Sequence, residues 1–362
     1  MKKKVLSAVI LLLWGTLILC LWFGPKADFS DSERRPLAKM PEITVESVLN
    51  GKFMSDFADF AVDQFPLRDT FRSAKSLFHT CILGQKDNHG IYIHDGVAAK
   101  MEYPLNQTSV DHALGRFNWL YENYLTESEV FMAIVPDKGY YLAEEIGRLS
   151  MDYEKLYASV AAGMPYATQI DLRDSLSIDD YYRTDTHWQQ ENLFAAASKL
   201  CESMGITPPN AEDYTLMQLD RPFYGVYYGQ AALPMEPDTL GYLQSETLKN
   251  CTVYDHETGN TTEIYDLTRQ NSKDLYDLFL SGAKALLTIE NPGANSEEAL
   301  IVFRDSFGSS MIPLLSHHYA KITVVDIRYV NSRILDQFID FSGQDVLFLY
   351  STLVLNSSDI LK

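Results

Sequence analysis

The stretch "RTDTHW" places a carboxylate and an imidazole two residues apart, at Asp185 and His187. In an extended segment residues i and i+2 point to the same side, so Asp185 is predicted to reach the Nδ1–H of His187 and hold its tautomer. The Nε2 of His187 would then be free to accept a proton from a hydroxyl nucleophile. The pair predicts two members of a catalytic triad, with the nucleophile elsewhere in the chain.

The stretch "ALIVFRDSFGSS" (299–310) offers that nucleophile. Its apolar run predicts a buried strand that ends at Arg304, and Phe307-Gly308 predicts a tight turn into a helix. Ser306 would then lie between the carboxyl end of a strand and a helix N-terminus. Unpaired backbone N–H groups and the helix dipole favour a developing oxyanion there. The order Asp–His–Ser is no objection, because geometry defines a triad.

Both motifs also have a purely structural interpretation. Thr186 and Gln189 have the spacing of a capping box, which would make His187 an incidental residue of a first helical turn. Asp305 or Ser306 could likewise cap the helix that follows them. The residue pattern alone leaves both interpretations open.

The elements that must position these residues alternate along the chain. Helical patterns lie at 109–126, 151–164 and 188–205, and β-rich apolar runs lie at 130–136, 299–305, 321–329 and 345–355. This alternation predicts an α/β sandwich with a largely parallel sheet. Between 207 and 292 the residue pattern changes to one typical of irregular β hairpins and loops, which we interpret as an insertion into that core.

The N-terminus predicts a membrane segment. A short basic tail (1–4) precedes a run without charges, and 5–24 is predicted to be a transmembrane signal anchor with the tail in the cytoplasm. A cleaved signal peptide is the alternative. Residues 25–88 are predicted to form an extracytoplasmic stalk and helical collar, and 89–362 the catalytic domain.

Charge and ligand spacing exclude several classes of function. The net charge of −19 and a pI near 4.8 argue against nucleic-acid binding, which needs a basic surface. The His, Asp and Glu residues show no H-E-x-x-H or comparable spacing, and the four cysteines show no metal-like spacing. We therefore expect no metal and no cofactor.

Several motifs taken in order resemble the DHHW proteins and the alginate O-acetylation proteins. Besides "DTHW" and "RDSF", these are "SERRPLAKMP" (32–41), "DQFPLRD" (63–69), "IVPDKGYYL" (134–142) and "VVDIRY" (324–329). The resemblance implies an SGNH-hydrolase-like three-layer α/β sandwich with a mostly parallel sheet. It also implies that Ser306 is the nucleophile, His187 the general base and Asp185 the residue that orients the base.

The sequence departs from that family at two positions. Thr186 stands where the DHHW proteins have a His, and Arg304 stands where a Gly usually precedes Asp-Ser. A side chain at position 304 would either crowd the acyl pocket or supply a cation to it. The departure at Arg304 therefore bears on how a substrate reaches Ser306.

Three further residues are candidates for binding substrate. Arg328, at a predicted strand end, and Lys138, after another strand, could bind a polysaccharide carboxylate or an acyl oxyanion. Tyr227, with its neighbours Tyr224 and Tyr228, could stack on sugar rings. Ordinary surface cations and hairpin packing are the respective alternatives.

Together these expectations describe a membrane-anchored, extracytoplasmic O-acetyltransferase that modifies a cell-surface or secreted polysaccharide through an acyl-Ser306 intermediate. The resemblance implies a membrane-bound O-acyltransferase as the acetyl donor, because a chain with one span cannot itself carry acetyl groups across a membrane. Two alternatives stay open. The protein could be a polysaccharide acetylesterase, or a non-catalytic exopolysaccharide-binding or assembly protein on the same scaffold.

Overall fold

The structure, a computed structural model, describes residues 2–30 and 32–362. Met1, in the predicted tail, and Asp31, in the predicted stalk, lie outside the described residues. The chain divides into two compact units, and the first consists of Met1–Tyr92 with Val226–Glu236. The second consists of Ile93–Gly225 with Pro237–Lys362.

The α-helices of the described residues, in chain order, are α1 (Lys2–Phe23), α2 (Val45–Leu49), α3 (Lys52–Asp63), α4 (Arg68–Leu77), α5 (Gln107–Leu120), α6 (Lys138–Leu142), α7 (Tyr153–Gly163), α8 (Phe194–Ser203), α9 (Val226–Ala231), α10 (Glu246–Asn250), α11 (Gly308–Leu315) and α12 (Thr352–Leu355). The strands are β1 (Phe29–Ser30), β2 (Arg35–Pro36), β3 (Ile91–His94), β4 (Val97–Lys100), β5 (Val130–Val135), β6 (Thr168–Asp171), β7 (Thr215–Phe223), β8 (Asp238–Gln244), β9 (Thr252–Asp255), β10 (Thr261–Glu263), β11 (Leu286–Glu290), β12 (Ala299–Arg304), β13 (Lys321–Val325) and β14 (Asp345–Ser351).

The first unit begins with the apolar helix α1. Its segment Lys3–Phe23 is exposed, and it is long and apolar enough to cross a membrane. A signal sequence near the N-terminus has the same properties. The helices α2, α3 and α4 follow where the sequence predicts a helical collar, and α4 continues into a π-helical turn at Phe78–Ile82.

The second unit is built on an eight-stranded sheet in the order β10-β9-β11-β13-β12-β14-β5-β6. The strands from β13 to β6 pair in parallel, whereas β10, β9 and β11 extend the sheet antiparallel beyond β13. The mostly parallel sheet predicted from the sequence is therefore confirmed. Part of the irregular segment 207–292 joins this sheet, and β7 pairs with β8 in a separate hairpin.

Both faces of the parallel strands are buried, because alternate side chains point to opposite sides. Along β5, Phe131, Ala133 and Val135 pack with residues of α8 and α11 on one face. Val130, Met132 and Ile134 pack with residues of α5 and α7 on the other face. The result is the three-layer α/β sandwich that the sequence predicts.

The predicted helix 188–205 begins later than its pattern suggests. A short 3-10 turn occupies Gln190–Asn192, and α8 starts only at Phe194. The delay has a side-chain cause, because the Gln190 amide donates to Ser310 O at 2.8 Å and accepts from Leu243 N at 2.7 Å. These tertiary hydrogen bonds hold the segment before α8 in a non-helical path.

Candidate active site

Ser306 is the middle of the three residues between the end of β12 and the start of α11. The Asp305 carboxylate holds this turn by accepting from Phe307 N at 3.0 Å. It also accepts from Ser351 N at 2.7 Å and Ser351 Oγ at 2.6 Å, at the end of the neighbouring strand β14. Ser306 itself is half-buried, whereas the residues on both sides of it are buried.

The structure bears out part of the capping interpretation. Phe307, the residue before α11, makes no side-chain cap, but the Asp305 carboxylate accepts from Phe307 N at this helix end, as a capping side chain does. Among the described residues, Ser306 makes no such contact. The Ser306 hydroxyl points instead to the loop that carries His187.

His187 lies at the tip of a closed loop. Tyr181 and Trp188 form an antiparallel bridge, and Tyr182 N donates to His187 O at 3.0 Å. Between them the chain bends instead of running extended. The bend lets one carboxylate oxygen, Asp185 Oδ1, accept from His187 N at 3.1 Å and contact His187 Nδ1 at 2.6 Å.

The capping-box interpretation of this segment is wrong. Gln189 precedes the 3-10 turn and makes no side-chain cap, and Leu193 precedes α8, also without one. Thr186 therefore caps neither element, and His187 is not a first-turn helix residue.

The two loops bring the three predicted catalytic residues together. His187 Nε2 lies 2.8 Å from Ser306 Oγ, and His187 Nδ1 lies 2.6 Å from Asp185 Oδ1. Asp185 is fully buried and His187 is 7% exposed, whereas Ser306 is half-buried, so Ser306 is the most accessible of the three residues. This arrangement allows the imidazole to take a proton from the hydroxyl while the carboxylate orients the ring.

An aromatic ring covers the imidazole. Tyr276 stacks on His187 with 3.9 Å between ring centroids and 8° between planes. Burial raises the pKa of Tyr276, so the phenol stays neutral, and its OH lies 2.8 Å from Ser310 Oγ. Trp188 Nε1 donates to the same Ser310 Oγ at 2.8 Å. Tyr276 and Ser310 were not identified from the sequence, because no local motif marks them.

The backbone around Asp185 is packed against a glycine. An ideal Cβ at Gly225 would lie 2.2–2.5 Å from the Cβ, Cα and N of Asp185, so only glycine fits there. Gly225 N donates to Thr184 Oγ1 at 2.9 Å. The Asp238 carboxylate accepts from Arg183 N at 2.9 Å and from Thr184 N at 2.8 Å. No local motif marks Gly225 or Asp238, which lie 40 and 53 positions after Asp185.

Lys138, a predicted substrate ligand, is buried beneath this loop. It is 2% exposed, and its Nζ donates to Ala98 O at 2.7 Å and to Arg183 O at 3.3 Å. Burial lowers the pKa of Lys138 to about 7, against the opposing attraction of Asp185 and Asp238. The ammonium group therefore supports the loop from inside the unit in this structure.

The other two predicted substrate ligands are also engaged. The Arg328 guanidinium donates to Asp326 Oδ1 at 2.9 Å and to Asp326 Oδ2 at 2.7 Å. Tyr227 lies on α9, in the first unit, and is buried. A substrate-binding role for Lys138, Arg328 or Tyr227 stays a prediction.

Arg304, which stands in place of the usual glycine, points into the second unit. It is 1% exposed, and its Nη1 lies 3.7 Å from Asp326 Oδ2. Its stem runs beside the first residue of α11, where an ideal Cβ on Gly308 would lie 2.8 Å from Arg304 Cβ. Within residues 2–30 and 32–362, no group of three or more His, Cys, Asp and Glu side chains is arranged to hold a metal ion.

One protein-family model matches part of the chain. Residues 149–325 match the family model described as "DHHW protein", and this range contains Asp185, His187 and Ser306. The resemblance noted from the motifs is thereby confirmed. A comparison with curated protein sequences gives no match.

Solved structures share the fold. A DHHW family protein from Eubacterium siraeum is 23% identical with a TM-score of 0.59, covering 75% of this chain and 95% of that chain. Two structures of Bacillus cereus PatB1 also match. One is 20% identical with a TM-score of 0.59, covering 73% of this chain and 96% of that chain. The other, which carries a sulfonyl adduct, is 19% identical with a TM-score of 0.57, covering 73% of this chain and 95% of that chain.

Proposed function

We propose that this chain, whose residues 149–325 match the DHHW family model, is a serine-dependent O-acetyltransferase that modifies a polysaccharide. Ser306 would be the nucleophile, His187 the general base and Asp185 the residue that orients it. The observation that carries the proposal is the continuous line from Asp185 Oδ1 through both ring nitrogens of His187 to Ser306 Oγ, with separations of 2.6 and 2.8 Å.

The first half-reaction would load the acetyl group. Ser306 Oγ attacks the carbonyl carbon of the donor ester while His187 Nε2 takes the hydroxyl proton. The imidazolium formed is stabilised by the buried carboxylate of Asp185 and gives the proton to the departing donor oxygen. The products are acetyl-Ser306 and the donor alcohol.

The second half-reaction would transfer the group. A sugar hydroxyl of the acceptor attacks the acetyl carbonyl while His187 Nε2 removes its proton, and the same proton returns to Ser306 Oγ as the serine leaves. Water in place of the sugar would release acetate. Whether the acetyl group is transferred to the polysaccharide or released as acetate thus depends on whether a sugar hydroxyl or water attacks the acyl-enzyme first.

The Ser306 backbone N–H is our candidate oxyanion donor. In the described part of the chain it donates no hydrogen bond, whereas Phe307 N is engaged by Asp305 and Gly308 N by Asp305 O. Ser306 lies two residues before the start of α11, where the helix dipole favours negative charge. A developing negative charge on the carbonyl oxygen could be stabilised there.

The setting we propose is extracytoplasmic. The helix α1 would be an uncleaved anchor with Lys2–Lys4 in the cytoplasm, which agrees with its length and hydropathy and with the positive-inside tendency. The polysaccharide acceptor and a membrane-bound O-acyltransferase as acetyl donor are supported by the resemblance of the sequence motifs.

The test uses 4-nitrophenyl acetate as donor, with and without candidate polysaccharides as acceptors. Nitrophenol release measures loading, and O-acetyl signals in the NMR spectrum of the polymer measure transfer. We expect both with the unmodified protein and with Ser309→Ala, and neither with Ser306→Ala. Released acetate without polymer acetylation would favour the esterase alternative. A folded protein that releases no nitrophenol would contradict the enzyme and favour a binding role.

A further inference from the structure

In the first unit, α4 and the π-helical turn after it form one continuous helical segment that exposes its apolar side. We define the apolar stripe as Leu67, Phe71, Ala74, Phe78 and Ile82, whose spacing of three or four residues places them on one face. The four large members are between 49% and 70% exposed. Leu77 and Leu83, beside the stripe, are exposed as well.

The polar side of the same segment faces inward. Arg68 forms an ion pair with Glu33, and Arg72 Nη2 lies 3.1 Å from Glu33 Oε1. One turn later the buried Ser76 Oγ donates to Ala231 O at 2.7 Å. This is the reverse of a helix on the surface of a water-soluble protein, where the apolar side packs inward.

The reversal cannot be relieved by turning the helix. Rotation would move the guanidinium groups of Arg68 and Arg72 and the hydroxyl of Ser76 away from their partners. It would leave the Glu33 carboxylate and the Ala231 carbonyl without those donors, which is costly for groups shielded from water. The outward direction of the stripe is therefore set by the polar contacts, and something apolar outside the unit is needed to cover it.

The stripe begins where the candidate membrane helix ends. Leu67 and Arg68 line the same cavity as Cys20 and Gly24 at the end of α1. Trp22, in the last turn of α1, packs on Phe57 of α3 with 6.1 Å between ring centroids. An inserted α1 would therefore hold the start of the stripe at the boundary between lipid and water.

We propose that the apolar stripe lies in the interfacial layer of the bilayer that α1 crosses. This inference rests on the proposed membrane anchor and adds a second, lateral contact with the same membrane. A bilayer surface is the occupant already within reach of Leu67, and an amphipathic helix with large apolar side chains suits it. Because the chain is acidic, burial of apolar side chains would drive this contact, and attraction to anionic lipid would not contribute.

The experiment uses the full chain in phosphatidylcholine vesicles. Cys81 is exposed and lies on the side of the stripe, so it can carry an environment-sensitive fluorophore in a Cys20→Ala background. The remaining cysteines, Cys201 and Cys251, are buried. We expect emission shifted to shorter wavelength, loss of most of that emission with a shallow lipid-borne quencher, and little quenching by iodide.

Two variants make the result specific. Phe71→Asp combined with Ile82→Asp should restore iodide quenching at Cys81 while the chain still floats with the vesicles through α1. Leu149→Asp, which places the same charge at an exposed apolar residue outside the stripe, should leave the fluorophore signal unchanged. Unchanged loading of Ser306 by 4-nitrophenyl acetate would show that the variants remain folded.

The outcomes separate the stripe from the anchor. A chain that floats with vesicles but whose label iodide quenches freely would overturn the stripe proposal and leave the anchor standing. A label shielded from both quenchers would point to a protein surface, such as a second copy, and would also overturn it. A chain that does not float at all would refute the anchor and the stripe together, whereas the chemistry of Ser306 would be unaffected.

Discussion

Ser306 follows a strand of the central sheet, whereas His187 lies on a loop without regular secondary structure. The serine turn is held by Asp305, whose carboxylate bonds to the end of the neighbouring strand. The histidine loop is held by the Asp238 carboxylate, the Lys138 ammonium and the close approach of Gly225. These three supports come from separate stretches of the chain.

We call the turn around Ser306 the serine half of the site and the loop that carries Asp185 and His187 the histidine half. The difference in their supports indicates which half a substitution disturbs more easily. A strand followed by a helix places its turn mainly through the backbone hydrogen bonds of the sheet, to which the Asp305 carboxylate adds its own contacts. A loop held by a few polar groups and one tight glycine contact depends on each of them. Substitutions far from the chemistry should therefore damage the histidine half more than the serine half.

The largest effect expected away from the triad is that of Gly225→Ala. The added Cβ would meet the backbone and Cβ of Asp185 at 2.2–2.5 Å, so the carboxylate must move. We expect kcat/KM for 4-nitrophenyl acetate to fall by roughly a hundredfold or more. Gly115→Ala, on α5 with no atom near its added Cβ, is the matched control and should keep full activity. An active Gly225→Ala protein would show that the loop tolerates movement.

The buried amine of Lys138 predicts a pH-dependent stability. The unfolded chain keeps this proton up to about the ordinary pKa of 10.5, whereas the folded chain releases it near 7. The folded amine therefore opposes folding most below pH 7, and the opposition fades as the pH rises toward 10.5. Relative to Lys138→Met, the native protein should gain about 2 kcal/mol in its free energy of unfolding between pH 7 and 9. Denaturant titrations at both pH values measure this, and an unchanged difference would mean that the amine stays charged.

The ring of Tyr276 should support the charged form of the base. Its face lies 3.9 Å from the His187 ring, and a cation over an aromatic face is stabilised. Tyr276→Leu should lower kcat roughly tenfold, because the imidazolium that forms during the reaction loses the aromatic face that stabilises it. Tyr276→Phe keeps the ring and should restore kcat. If the Tyr276→Leu and Tyr276→Phe proteins have the same kcat, the stacked ring does not stabilise the imidazolium.

The smallest effect is expected in the serine half. In Gly308→Ala the new Cβ would meet the Arg304 side chain at 2.8 Å, rather than a backbone. This overlap is milder than the overlap of 2.2–2.5 Å at Gly225, so a smaller movement relieves it and kcat/KM should fall by less than roughly tenfold. A loss as large as that of Gly225→Ala, in parallel assays, would remove the contrast between the two halves.

The sequence predicted the serine half more fully than the histidine half. An apolar run followed by Asp-Ser-Phe-Gly is a local pattern, and it correctly predicted the strand end and the helix around Ser306. The spacing of Asp185 and His187 predicted their contact, but a bend produces it where an extended segment was expected. Gly225, Asp238 and Tyr276 left no local pattern, because each acts through one contact with a distant stretch.

Two further expectations depended on tertiary contacts that no local pattern shows. The capping box at Thr186 was overridden by tertiary hydrogen bonds of Gln190 that delay the start of α8. Lys138 follows a parallel strand, where residues often line a cleft, but its Nζ turns inward to backbone carbonyls in this structure, and its substrate-binding role stays a prediction. Residue type and position give the chemistry available, whereas the direction of a side chain depends on partners that only the fold brings near.

The most direct test of the central claim is the reaction of Ser306 with a sulfonyl fluoride, followed by peptide mapping of the adduct. Phenylmethylsulfonyl fluoride suits this test because it forms a stable covalent adduct with a serine hydroxyl that an imidazole activates. We predict an adduct on Ser306 in the native protein and in Ser309→Ala, none in Ser306→Ala, and labelling slowed by about a thousandfold in His187→Ala. An adduct on another residue, or equally fast labelling without the imidazole, would contradict the triad.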